Sequence, residues 1–176
     1  MAKVMILVGS GTENSRSLNL SHEIEKSLNK QGVNTEMIDL RLLALPQYDA
    51  TIENTDTYDD KTRRFLDKSK RADGFIWVTP VYHNSYSSIL KTALDWQHFK
   101  LTNKVVGLAS HAGRSPQPLD QLMLVARAQH AVPIPIRVAT NNEDFDDNKQ
   151  LVNQEIFGRI EDFSTKFVDF LNRFAK

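Results

Sequence analysis

Cysteine is absent from all 176 residues, which excludes disulfides, thiol catalysis, Cys-based zinc sites and cysteine phosphatases. A charge excess of either sign is also missing, since Lys plus Arg and Asp plus Glu stand at 22 each. Nothing therefore points to nucleic acid or an anionic membrane surface as partner. No apolar run is long enough to cross a bilayer, and no charged-then-apolar leader opens the chain, so the expected location is the cytoplasm. Several chemical motifs are missing as well. No Gly-Lys-Ser/Thr follows the early glycines, which argues against a nucleoside triphosphatase, and no Gly-x-Ser-x-Gly marks a nucleophile elbow. The histidines fall at no metal-ligand spacing.

What is present begins with Val4–Val8, an unbroken apolar run followed at once by Gly9, Ser10, Gly11 and Thr12. A strand buried on both faces reads this way and belongs to a parallel sheet flanked by helices. The turn after it suits an anion, because glycines permit close approach, hydroxyls donate and the next helix offers free N–H groups. Gly9-x-Gly11 opens a dinucleotide fingerprint, but the third glycine position is Asn14. A monophosphate held by Ser10, Thr12, Ser15, Ser17 and Asn19 without a lysine is the expectation; the alternative is that Ser15 or Ser17 only caps a helix.

Leu20, Ile24 and Leu28 predict a helix over Ser17 to Gln31, stopped by Gly32. Val33 to Leu40 alternates as an edge strand does, with Asp39 at its end expected to face solvent. Arg41 to Asp60 reads as a long loop of the kind that serves function or a partner subunit. A helix at Lys61 to Arg71 leads to a central strand at Phe75–Val78, and a further helix spans Ser87 to Gln97. Lys104 to Ala109 is another buried strand. The last strand, Val132 to Ala139, holds Pro133 and Pro135 and so belongs at an edge. Ile156, Ile160, Phe163, Phe167, Phe170 and Phe174 form the apolar stripe of a closing helix.

Two edge strands and three central ones are satisfied by the parallel order 2-1-3-4-5 with helices on both faces, a flavodoxin-like α/β fold in one domain over residues 1–176. The crevice then lies between strands one and three, where Gly9 to Asn19 faces Thr79 to Ser88. A phosphate at one mouth and a flat ring at the other describe FMN. A phosphorylatable receiver domain would need acidic residues at these strand ends, which read Val-Gly-Ser and Val-Thr-Pro.

Thr79 to Trp96, TPVYHNSYSSILKTALDW, resembles the flavin-ring segment of the NAD(P)H-dependent FMN reductase family, which includes azo-dye, quinone and chromate reductases. Gly9-Ser10, Ser17-x-Asn19, Leu45 to Asp49 and Ala72-Asp73 support the likeness. The resemblance implies that Ser10, Ser17 and Asn19 hold the FMN phosphate. Pro80, Val81, Tyr82 and His83 would edge the ring, largely through backbone groups, and Ser110 and Gly113 would border it. Thr12 stands where the family usually has Arg, with Arg16 as the candidate substitute, and Val81 stands where it usually has Glu. No obligatory catalytic side chain is expected; His83 and His111 are either groups that polarise a substrate or exposed loop residues. The family implies hydride transfer from NAD(P)H through FMN to quinones, azo compounds, metal oxyanions or free flavin, in a homodimer or homotetramer. A flavodoxin-type electron carrier and a non-catalytic nucleotide-binding module are the rivals; the balanced charge argues against a carrier that docks on basic partners.

Overall fold

Val4 to Val8 form the body of strand β1 (Lys3–Val8) and are all buried, because strands lie on both edges and helices on both faces. β1 pairs in parallel with β2 (Asn34–Asp39) on one side and β3 (Gly74–Pro80) on the other. The sheet continues in parallel through β4 (Val105–His111) to β5 (Val132–Thr140), giving the order 2-1-3-4-5. The computed structural model describes residues 2–51, 58–97, 101–112 and 117–174.

Among the described residues the helices are α1 (Arg16–Lys30), α2 (Leu40–Leu43), α3 (Asp60–Arg71), α4 (Ser88–Trp96), α5 (Gln117–Ala128) and α6 (Gln154–Phe174). Successive strand residues point to opposite faces. Val4, Ile6 and Val8 therefore pack with Leu20, Ile24 and Leu28 of α1 and Ile160, Phe163 and Phe167 of α6. Met5 and Leu7 pack on the other side with Phe65, Leu90, Leu94 and Leu122 from α3, α4 and α5. None of these helices is long and apolar enough to cross a membrane.

The edge strands show why they read differently from the central ones. β5 carries Pro133 and Pro135, and its register against β4 slips between Val106 and Leu108, where proline cannot donate to a regular ladder. Asp39 at the end of β2 does not simply face solvent: its carboxylate accepts from Arg41 N at 2.9 Å and Leu42 N at 3.4 Å and so caps α2. That helical turn opens the segment expected to be wholly loop. The next stretch is fastened by Trp96, whose indole N–H donates to Pro46 O at 2.7 Å while Tyr48 and Tyr58 pack edge-on against its ring. Residues 52–57 of that loop lie outside the described residues. In α6 the buried stripe ends on Leu171; Phe170 is only partly buried and Phe174 is exposed.

Candidate functional site

In a parallel sheet all strands end at one edge, so the loops after β1, β3 and β4 meet. The first loop starts at Gly9, whose N–H donates to Val78 O at 2.8 Å. A Cβ on Gly9 would stand 2.7 Å from Leu90 Cβ, so only glycine lets the chain pass this close to α4. Asn14 adopts φ 46°, taking the left-handed turn at the position where a dinucleotide fingerprint has its third glycine. Ser15 is the N-cap of α1, its hydroxyl accepting from Leu18 N at 3.1 Å, which starts the helix one residue before the expected Ser17. The backbone N–H groups of Arg16 and Ser17, in the first turn, have no earlier helical carbonyl to bond.

The second loop turns sharply. Tyr82 and Ser85 exchange backbone hydrogen bonds at 2.9 Å, with His83 (φ 49°) and Asn84 (φ 59°) as the two left-handed central residues of a hairpin turn. Gln121 of α5 secures it, accepting from Ser85 Oγ at 2.7 Å and donating to Asn84 O at 3.3 Å. Val81 N donates to His111 O at 2.8 Å. The backbone donors of Val81 and Tyr82 are thus spent within the chain, while those of His83 and Asn84, at the tip, make no hydrogen bond among the described residues.

The third strand end brings His111, which is not an exposed loop residue. It is 7% exposed, its Nδ1 lies 3.1 Å from Thr140 Oγ1, and Phe145 stands edge-on at 5.1 Å. Burial, and next the Arg16 charge, lower its pKa from the ordinary 6.5, against opposing effects of an Asn142 hydrogen bond and Asp144. Stability should be full above about pH 6.5, where both states carry a neutral ring. Below that the unfolded chain takes up a proton the folded ring resists, and stability falls until the folded pKa is passed. Urea midpoints measured on either side of pH 6.5 should show this fall shrinking in His111→Gln; an unchanged pH slope would rule His111 out as its source.

Ser10, Thr12, Ser15, Arg16, Ser17, Pro80 and Tyr82 of the expected set line one open cleft of about 240 Å³, together with His111, Ala112, Asn142 and Lys149. Ser17 is 1% exposed. The buried Nε of Arg16 has no hydrogen-bond partner among the described residues. Val81 and the exposed His83 flank the cleft without lining it, and Ser110 is fully buried, its hydroxyl without a partner among the described residues. Gly113 lies outside the described residues. Asn19 is turned to another use: its Nδ2 donates to Lys149 O at 2.7 Å. Asn142 and Lys149 were absent from the expected set, and no local pattern marks them.

A doubly covered 2-1-3-4-5 sheet with hydroxyls, a helix N-terminus and a cation at the β1/β3 switch point defines a flavodoxin-like α/β protein whose cleft suits an anion. The chain belongs to the NADPH-dependent FMN reductase family, whose sequence model matches residues 2–144. The FMN-dependent NADPH-azoreductase of Staphylococcus aureus is 32% identical, the alignment taking in 97% of this chain and 95% of that protein. Among solved structures the flavoenzyme NAD(P)H:(acceptor) oxidoreductase FerB of Paracoccus denitrificans superposes with a TM-score of 0.82 at 17% identity, covering 100% of both chains. An azoreductase of Bacillus anthracis superposes at 0.67 with 14% identity, covering 99% of this chain and 100% of its own. These likenesses confirm the flavodoxin-like fold.

Proposed function

We propose that the cleft holds FMN, phosphate at the α1 N-terminus and ring across the loops after β3 and β4, and that the enzyme uses NADPH to reduce azo compounds, quinones, metal oxyanions or free flavin. The observation that carries this reading is the Arg16 guanidinium, with a buried Nε that has no partner among the described residues, set among Ser10, Thr12, Ser15 and Ser17. Buried donors are normally satisfied, and a phosphate supplies the missing acceptors. When bound, the flavin supplies hydride acceptance from the nicotinamide and its return to the acceptor.

The chain's own residues bind and orient. Ser10, Thr12, Ser17 and the first-turn N–H groups of α1 take phosphate oxygens, and Arg16 supplies positive charge. The N–H groups of His83 and Asn84, without a hydrogen bond among the described residues, are offered to the ring edge, and Pro80 and Tyr82 flank it. The cleft is smaller than the roughly 300–1,000 Å³ of pockets that enclose a ligand. The ring therefore lies across an open mouth, where Tyr82 is 45% exposed, and a second copy of the chain would cover it in a homodimer or homotetramer. No side chain is assigned a catalytic role.

The test is the visible spectrum of the purified protein after FMN loading and removal of excess, followed by NADPH without oxygen. Retained flavin absorbance that bleaches with NADPH and returns on adding an azo dye or quinone is the expected result. A protein that retains no FMN would sink the reading.

A further inference from the structure

Lys149 lies beyond residue 144, where the family match ends, yet it lines the same cleft as Arg16 and Ser17. It sits near the tip of a short hairpin closed by the antiparallel bridge between buried Phe145 and Leu151. Asp146 N donates to Gln150 O at 2.9 Å, Lys149 N donates to Asp146 O at 2.9 Å, and the Asp146 carboxylate accepts from Gln150 N at 2.8 Å. The base is pinned by Asp144, whose carboxylate accepts from Asn141 N and Asn153 Nδ2. The tip is tied to α1 by the Asn19 amide on Lys149 O. A cation on a built arm is thereby brought beside the helix N-terminus.

Some cations elsewhere on the surface have acidic partners, as with Arg41 and Asp39, Lys68 and Glu36, and Arg137 and Asp120. Neither Lys149 nor Arg16 has one among the described residues, although acidic residues equal basic ones in the chain. Two cations with no acidic partner among the described residues, beside the nearly buried Ser17 at the start of α1, make a site for a doubly charged anion. We propose that Lys149 supplies a second phosphate-neutralising charge beside Arg16, where Thr12 brings none, and that Asn19 acts as a positioning residue that holds Lys149 there. This rests on the FMN reading above.

Lys149→Gln keeps the main chain, including the carbonyl that Asn19 engages, and removes only the charge. Binding of FMN and of riboflavin, which lacks the phosphate, is measured by flavin fluorescence quenching at two ionic strengths. FMN affinity is expected to fall about tenfold in Lys149→Gln and to lose part of its salt dependence, with riboflavin affinity unchanged. Asn19→Ala should weaken FMN by itself but add little in the Lys149→Gln background, since the two act as one unit. Unchanged FMN affinity in Lys149→Gln, or equal losses for FMN and riboflavin, would overturn the role of Lys149 and leave the flavin reading standing. Additive losses would overturn the role of Asn19. A wild-type protein that binds neither ligand would refute both readings at once.

Discussion

Phe163→Ala should cost about 3–5 kcal/mol of folding stability, the usual loss for truncating a buried phenylalanine, which corresponds to a fall in Tm of about 6–20 °C for a chain of this size. Phe163 is fully buried in α6, with its ring stacked on Phe167 at a centroid distance of 6.4 Å. It fills the space that Gly107 leaves on β4: a Cβ at Gly107 would stand 2.5 Å from Phe163 Cζ and 2.7 Å from Ile76 Cδ1. β4 is hydrogen-bonded to β3 and β5 on its two edges, so the sheet cannot sag into the cavity and the cavity cost is retained. Gly107→Ala alone should overpack the same spot at about 1–3 kcal/mol. Combined with Phe163→Leu the two losses should be less than additive, because the smaller side chain makes room for the methyl group. Thermal melts of wild type, Phe163→Ala, Gly107→Ala, Phe163→Leu and the Gly107→Ala/Phe163→Leu pair decide it. A Phe163→Ala loss below about 1 kcal/mol would mean that α6 shifts to close the gap. FMN retention well below the transition should be unchanged, since Phe163 does not line the cleft.

That packing explains how far the sequence could be read. β1, β3 and β4 are continuous apolar runs because both faces are covered, β2 is only partly buried, and β5 carries prolines where its register slips. Those three signatures dictate the strand order, and the order alone brings Ser10, Thr12, Arg16 and Ser17 to face Pro80 and Tyr82. What stayed hidden depends on contacts between distant parts of the chain. Asn19 and Lys149 are 130 residues apart, and the type of residue 19 says that it can donate but not to which acceptor. Asn142 and Lys149 occupy a connection with neither helical nor alternating periodicity, so nothing local assigns them to the cleft. At four residues α2 is too short for periodicity to reveal; its only local signal is a capping Asp39. The backbone donors expected to edge the ring follow hydrogen-bond geometry rather than residue type, and Val81 N goes to His111 O.

Gly9→Ala is expected to weaken FMN binding by about a hundredfold, while costing about 1–3 kcal/mol of stability through overpacking. The added methyl would stand 2.7 Å from Leu90 Cβ, 2.9 Å from Ser87 Oγ and 3.2 Å from Val78 O. None of these is the yielding end of a long side chain. Leu90 Cβ is fixed to α4, Ser87 is the α4 N-cap accepting from Leu90 N, and Val78 belongs to β3. The β1–α1 loop must therefore give way, breaking the hydrogen bonds from Ser87 Oγ to Gly9 O and from Gly9 N to Val78 O. Ser10 follows directly and would be carried off the phosphate position. Displacements approaching 1 Å at a positioned polar site cost on the order of a hundredfold, so the binding loss should outrun the stability loss. Gly11→Ala is the matched control in the same loop, because its Cβ would meet only Ile89 Cδ1, at 3.2 Å, the end of a side chain that can rotate away. It should bind FMN within a few-fold of wild type. Fluorescence titration of both variants reads the difference directly, and equal losses would show that the loop is intolerant of any side chain rather than locked at Gly9 against α4.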